Sequence, residues 1–193
     1  MSETNSSLDR SDSMSADNHE VGIDADEFKA AFRNHPAGVA LITADSGDGP
    51  VAMTATSVFS VSAVPPMLVF SASDLSSSTP TLVAASTVVV HLLGAEQLDL
   101  AILGSTSGID RFAETARWSR LPTGEPYFPA AHAWIRGKVI NKLQAGTSTV
   151  FVLLAIESMA PAAGSPEADA TNAEPLVYHN RTWHRLGDRS RVQ

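Results

Sequence analysis

Cysteine is absent from all 193 residues of this chain. That removes disulfides, thiol nucleophiles and thiolate metal sites together, and it is compatible with a reducing cytosol. Basic residues are scarce as well: 13 Lys and Arg stand against 21 Asp and Glu, for a formal net charge of −8. A nucleic-acid backbone or an anionic membrane surface needs a basic face, so neither is expected as the main partner. No apolar run approaches the roughly 18–20 residues that span a bilayer. The acidic, Ser-rich start is unlike the basic-then-apolar order of a signal peptide. The expectation is a cytoplasmic protein without a metal, since the six histidines show no close ligand spacing. No G-x-G-x-x-G is present, and strands do not alternate with helices, which argues against a doubly wound nicotinamide domain. Gly104-Ser105-Thr106-Ser107-Gly108 is no nucleophile elbow, because its centre is Thr and no strand leads into it.

What is present reads as one globular domain with appendages. Hydrophobic residues make up 44% and charged residues 18%, a balance that a packed core requires. Residues 1–25 are polar and acidic and read as a disordered tail. A folded domain over 26–187 and a short tail over 188–193 follow. Asp26 is placed to cap a helix carrying Phe28, Ala31 and Phe32 on one face and ending near Asn34. Gly38–Ala44 reads as a buried strand that turns at Ser46–Pro50 into a second strand, Val51–Ser62. After Pro65-Pro66 comes an apolar strand to Ser73, then a loop, then a short helix with Pro80 in its first turn.

Further strands are expected at Val88–Leu93, Ala131–Leu143 and Thr149–Met159, with a closing hairpin at Leu176–Tyr178 and Thr182–Leu186. A helix at Ala95–Leu103 should turn Leu98, Ile102 and Leu103 inward, and Gly104–Gly108 should be a flexible link. The Ala-, Gly- and Pro-rich stretch 161–175 reads as a mobile surface excursion. Many strands, short turns and few helices make a mainly β fold: a closed or partly closed barrel with helices on its rim.

Three segments carry candidate chemistry. In Thr54-Ala55-Thr56-Ser57, small residues let backbone groups approach a flat ligand while hydroxyls reach its polar edge; an ordinary Ser/Thr-rich edge strand has the same composition. Ser73 to Thr79, with Ser76, Ser78 and Thr79 before a helix, has the donors of an anion site and equally those of a capped loop. Arg111-Phe112 offers a cation and an aromatic ring, suited to a phosphate or to a surface ion pair. His91, in a Val-rich strand, reads as a hydrogen-bonded core residue.

These pieces, in order, resemble the short-chain flavin reductases of the FMN-binding split-barrel superfamily. The matching segments are Phe32-Arg33-x-x-Pro36-x-Gly38-Val39, Met53-Thr54-Ala55-Thr56-Ser57, Ser62-x-x-Pro65-Pro66, Ser76-x-Ser78-Thr79, Asp110-Arg111-Phe112, Gly146-Thr147 and Pro175-Leu176-Val177-Tyr178-x-x-Arg181-x-Trp183-His184. The resemblance implies a split β-barrel with flanking helices, assembled as a homodimer. It implies hydride transfer from NADH or NADPH to FMN or FAD, and a separate oxygenase component that receives the reduced flavin. Thr54–Ser57 and Ser71 would meet the flavin, with His35 and Pro36 near its ring. Ser73, Ser76, Ser78 and Thr79 would hold its phosphate, with Arg111 and Phe112 nearby. Gly146, Thr147 and Ser148 would line the nicotinamide side, where the family usually has His at the third position. The alternative is a flavin-binding module, sensor or carrier, without NAD(P)H turnover.

Overall fold

The computed structural model describes residues 22–161 and 174–192. The expected acidic tail as far as residue 21, and the excursion over 162–173, lie outside the described residues. Helix α1 (Ala25–Arg33) starts earlier than expected, because Asp24 and not Asp26 caps it. The Asp24 carboxylate accepts from the amides of Asp26 and Glu27, both at 2.8 Å. Asp26 and Glu27 then sit at the positive end of the helix dipole and Arg33 at the negative end. None of its residues is buried, and Phe28 and Phe32 are 52% and 57% exposed.

The expected first strand is broken at Val39 into β1 (Ala37–Gly38) and β2 (Ala40–Asp45). β2 pairs with β3 (Pro50–Ala55) as a hairpin. The single strand expected over Val51–Ser62 is a correction: the chain leaves the ladder after Ala55 and resumes as β4 (Phe59–Ala63). Further strands are β5 (Pro66–Ser73), β6 (Thr87–Leu92), the short pair β7 (Ser119–Arg120) and β8 (Pro126–Tyr127), and the long hairpin β9 (Ala133–Ala145) and β10 (Ser148–Met159). β11 (Leu176–His179) and β12 (Thr182–Arg185) close the chain and join β1 in a small three-stranded sheet.

The main sheet has seven strands in the order β3-β2-β6-β9-β10-β5-β4. Strands β3 and β4, neighbours in sequence, therefore sit at opposite edges, and residues 56–58 cross between them. The sheet curls so that those edges approach, giving the mainly β, split-barrel architecture that the sequence suggests. Its interior is filled by Ile42, Met53, Leu68, Phe70, Val90, Phe151 and their neighbours, with the Phe70 and Phe151 rings stacked at 4.6 Å. β2 is buried on both faces: Ala40, Ile42 and Ala44 point into the barrel, while Leu41 joins an outer cluster with Leu100, Phe112, Phe128 and Leu176. Among the described residues, no helix is long and apolar enough to cross a membrane.

Helix α2 (Thr79–Ala84) follows the Ser-rich loop as expected. Helix α3 (Leu98–Ser105) departs from expectation at one residue: Leu98 and Leu103 pack against the outer cluster as expected, but Ile102 is 47% exposed and the fully buried positions are Leu100, Ala101 and Gly104. Close approach decides the face, because only glycine at 104 lets the helix backbone lie against Leu41 and Thr54 of the sheet. Gly104 is thus a packed helical residue and not part of a flexible link.

His91 is fully buried and does what a core histidine must. Its Nδ1 lies 2.9 Å from the Leu41 carbonyl, and its Nε2 accepts the Phe128 amide at 3.0 Å. Only the neutral Nδ1–H tautomer satisfies both. Burial holds its pKa down to about 4, outweighing the Leu41 carbonyl, which favours the charged form.

Candidate functional site

Ser57 stands in the crossing between the sheet edges. Its hydroxyl donates to the Ser71 carbonyl at 3.1 Å and accepts the Ser71 amide at 3.0 Å. One side chain thereby replaces a missing ladder rung and ties the start of the crossing to β5. Ser57→Ala should cost about 1–2 kcal/mol, because it leaves both Ser71 backbone groups without that partner. Urea denaturation combined with amide exchange at Ser71 checks this; unchanged exchange there would show that the clasp does not hold the seam.

Neighbouring hydroxyls bind the rim of the barrel together in the same way. Thr54 donates to the Ala101 carbonyl of α3 at 2.7 Å, and Ser78, almost fully buried, donates to the Ala52 carbonyl at 2.9 Å. Thr79 donates to the Ser73 carbonyl at 2.7 Å. The Ser73 and Ser76 hydroxyls accept the amides of Leu75 and Ser78, both at 3.3 Å. The loop is bound to the β9–β10 turn: Ser73 is the register partner of Ser148, and the Asp74 amide donates to the Thr147 carbonyl at 3.0 Å. Residues 52–57, 71–79 and 146–148, separate in sequence, are therefore one continuous rim.

Arg111 and Phe112 are spent differently. The Arg111 guanidinium donates to the carbonyls of Thr106 at 2.7 Å and Leu103 at 3.3 Å, neutralising the end of α3. Phe112 is buried against Trp118 and Phe128, with ring centroids at 5.0 and 5.6 Å.

Beside the rim opens a cleft of about 790 Å³, formed by α1, β1, residues 56–59 and the β11–β12 turn. His35, Pro36, Thr56 and Ser57 line it; the remaining expected site residues do not. Sequence reasoning missed the opposite wall, made of Phe28, Phe32, Arg33, Tyr178, His179 and Arg181. The amphipathic stripe of α1 was its available signal, since among the described residues nothing covers that apolar face. The volume lies within the range of small-molecule sites. Small and polar residues (Gly38, Thr56, Ser57) together with the rings of Phe59 and Tyr178 in one lining suit a planar ring with a polar edge, so the residues fit a flavin.

Known proteins point the same way. The profile of the flavin reductase like domain matches residues 32–187. An NADH:FMN oxidoreductase from Rhodococcus qingshengii is 42% identical over 165 residues, covering 86% of this chain and 83% of that protein. The reductase component of a 4-nitrophenol 4-monooxygenase/4-nitrocatechol 2-monooxygenase from Rhodococcus opacus is 28% identical over 157 residues, or 81% of this chain and 78% of its own. Among solved structures, a flavin reductase domain protein from Arthrobacter sp. FB24 superposes with a TM-score of 0.74 at 31% identity, covering 84% of this chain and 95% of its own. The profile match begins inside α1 and ends just past β12, so it takes in the barrel, the seam and the cleft lining from Phe32 onward. On that ground this chain belongs to the flavin reductase-like domain family.

Proposed function

We propose that this chain is an NAD(P)H-dependent flavin reductase that passes reduced flavin to a separate oxygenase component. The observation that carries this reading is the continuous rim of small and hydroxylated residues beside an open, aromatic-walled cleft. A bound flavin supplies the redox chemistry, taking a hydride from the nicotinamide and a proton from solvent while NAD(P)H becomes NAD(P)⁺. The protein's task is to hold two rings face to face and to exclude other geometries. His35, Pro36 and the Thr54–Ser57 backbone border the ring. Ser73 and Ser76–Thr79 serve the flavin phosphate through whatever donors their loop leaves open, and Ser71 fixes the seam beneath them. Gly146, Thr147 and Ser148 face the nicotinamide, and Arg111 and Phe112 act through the placement of α3. The Rhodococcus qingshengii relative, named for NADH and FMN, makes that pair the first choice over NADPH and FAD. The Rhodococcus opacus relative, a reductase component, supports delivery to an oxygenase.

The exposed Phe59 and Val61 of the edge strand β4 support assembly as a homodimer. A second reading, a flavin-binding module without turnover, is favoured only by Ser148, which puts a hydroxyl where the family usually has an imidazole. Steady-state assays crossing NADH and NADPH with FMN, FAD and riboflavin decide between them. Flavin-dependent NADH oxidation is expected; flavin retention through gel filtration without NAD(P)H oxidation would leave the binding module.

A further inference from the structure

We propose that the cleft between α1 and the β11–β12 turn holds the ADP moiety of an adenine dinucleotide, with Arg33 and Arg181 on its diphosphate and Phe28 and Phe32 against its adenine. This rests on the flavin reductase reading, in which a dinucleotide is a substrate, and it assigns that substrate's far half to particular residues.

Charge is the first observation. The molecule carries a net −8, yet among the described residues the cleft is lined by Lys29, Arg33 and Arg181 and by no carboxylate. Lys29 is paired with Asp26 at 3.1 Å. Arg33 and Arg181 form no ion pair among the described residues, whereas Arg117, Arg120, Arg136, Arg185 and Arg191 each meet a carboxylate. Two exposed guanidinium groups that line one cleft without a carboxylate partner offer an anion charge-assisted hydrogen bonds.

Backbone geometry is the second. The Asn180 amide donates to the Arg33 carbonyl at 3.2 Å, so the two arginines belong to one clasped unit. Asn180 and Arg181 have φ of 48° and 62°, which makes a two-residue hairpin turn of the kind whose second position ordinarily takes glycine. Here that left-handed position holds an arginine that lines the cleft, and such local strain clusters at binding sites. A guanidinium fork fits two adjacent phosphates better than any other side chain.

Shape is the third. The Phe28 and Phe32 rings lie 4.8 Å apart and more than half exposed, a surface on which a purine stacks. The Ser73–Thr79 loop, assigned to the flavin's own phosphate, does not line this cleft. The phosphates read by Arg33 and Arg181 are therefore different ones. Both NAD(P)H and FAD contain an ADP moiety, so the test must separate them.

Calorimetric titration of the full chain with ADP-ribose, with and without oxidised FMN, is the direct measurement. Binding is expected in the wild type and should weaken about tenfold or more in Arg33→Gln and in Arg181→Gln. Arg181→Gly should weaken it equally while relieving the turn, so its thermal midpoint stays level or rises and unfolding cannot explain the loss. In steady state, a rise of about tenfold in KM for NADH with FMN as acceptor assigns the moiety to the pyridine nucleotide. A rise confined to KM for FAD relative to FMN assigns it to the flavin, and either supports the proposal. Absence of ADP-ribose binding in the wild type, binding unaltered in all three variants, or KM values unaltered for NADH, NADPH and FAD would overturn it. If the wild type binds ADP-ribose through these arginines but oxidises no NADH with any flavin, the reductase reading falls and the ADP site stands.

Discussion

Gly104→Ala should lower the unfolding free energy by about 3 kcal/mol and raise KM for flavin, although the substitution adds only one methyl group. A β-carbon at 104 would press into Leu41 Cδ1 and Thr54 Oγ1 and lie 2.8 Å from the Thr54 amide nitrogen. The leucine methyl can rotate away. The amide nitrogen cannot, because Thr54 sits in the β2–β3 ladder opposite Leu41. Helix α3 must then back off the sheet and stretch the 2.7 Å bond from Thr54 to the Ala101 carbonyl. Thr54 also begins the rim segment that borders the cleft, so the displacement carries into the site. Urea denaturation gives the stability change and flavin titration of the initial rate gives KM. A loss under about 1 kcal/mol with KM unchanged would mean that the helix slides freely on the sheet.

Acidification should cost the native state about 2.5 kcal/mol between pH 7 and pH 4.5 through His91 alone. The imidazole titrates near 6.5 in the unfolded chain and is held down to about 4 in the fold. The folded state therefore binds fewer protons in this window. Its full stability is present above pH 6.5 and is lost progressively as pH falls towards 4. Glu125 acts lower down. Burial pushes its carboxyl up, but hydrogen bonds from Thr123, Thr87 and Arg136 prevail and hold it at about 2 against 4.5, so its contribution is whole above 4.5 and lost only towards 2. The two windows scarcely overlap. His91→Leu should flatten the upper window and lower stability at neutral pH by about 3 kcal/mol, since the Leu41 carbonyl and Phe128 amide lose their shared buried partner. Denaturation curves from pH 7 to 4.5 check both; a wild-type profile flat to pH 5 would show that the imidazole is reached by water.

The sequence announced the strands better than their places. Alternation and turn chemistry located the β2–β3 and β9–β10 hairpins, and His91 sat where a Val-rich strand puts it. The run from Val51 to Ser62 looked like one strand because Thr56, Ser57 and Val58 include no glycine or proline to mark the break. What interrupts it is a long-range event, the capture of Ser57 by Ser71, which no local pattern encodes. Helix α3 misled for a related reason: large residues suggest an inward face, but contact distance gave that face to Gly104 and turned Ile102 outward. The hydroxyls of the candidate site were legible as residue types and not as bonds. Several are already committed to carbonyls of the barrel, and only the fold shows which. The far wall of the cleft was hidden because Phe28, Phe32 and Arg181 come from opposite ends of the chain.

Register pairing between Ser73 and Ser148 has a kinetic consequence. It joins strands some 75 positions apart along the sequence, and contacts of that separation form late, after a costly loop closure. The rim cannot exist in a half-folded chain, since the β2–β3 hairpin can zip up locally whereas β5 must wait for β10. Recovery of flavin binding during refolding should accordingly track the slowest phase of folding and not the early burst of hairpin formation. A molecule that binds its substrate has, by that fact, already joined β5 to β10.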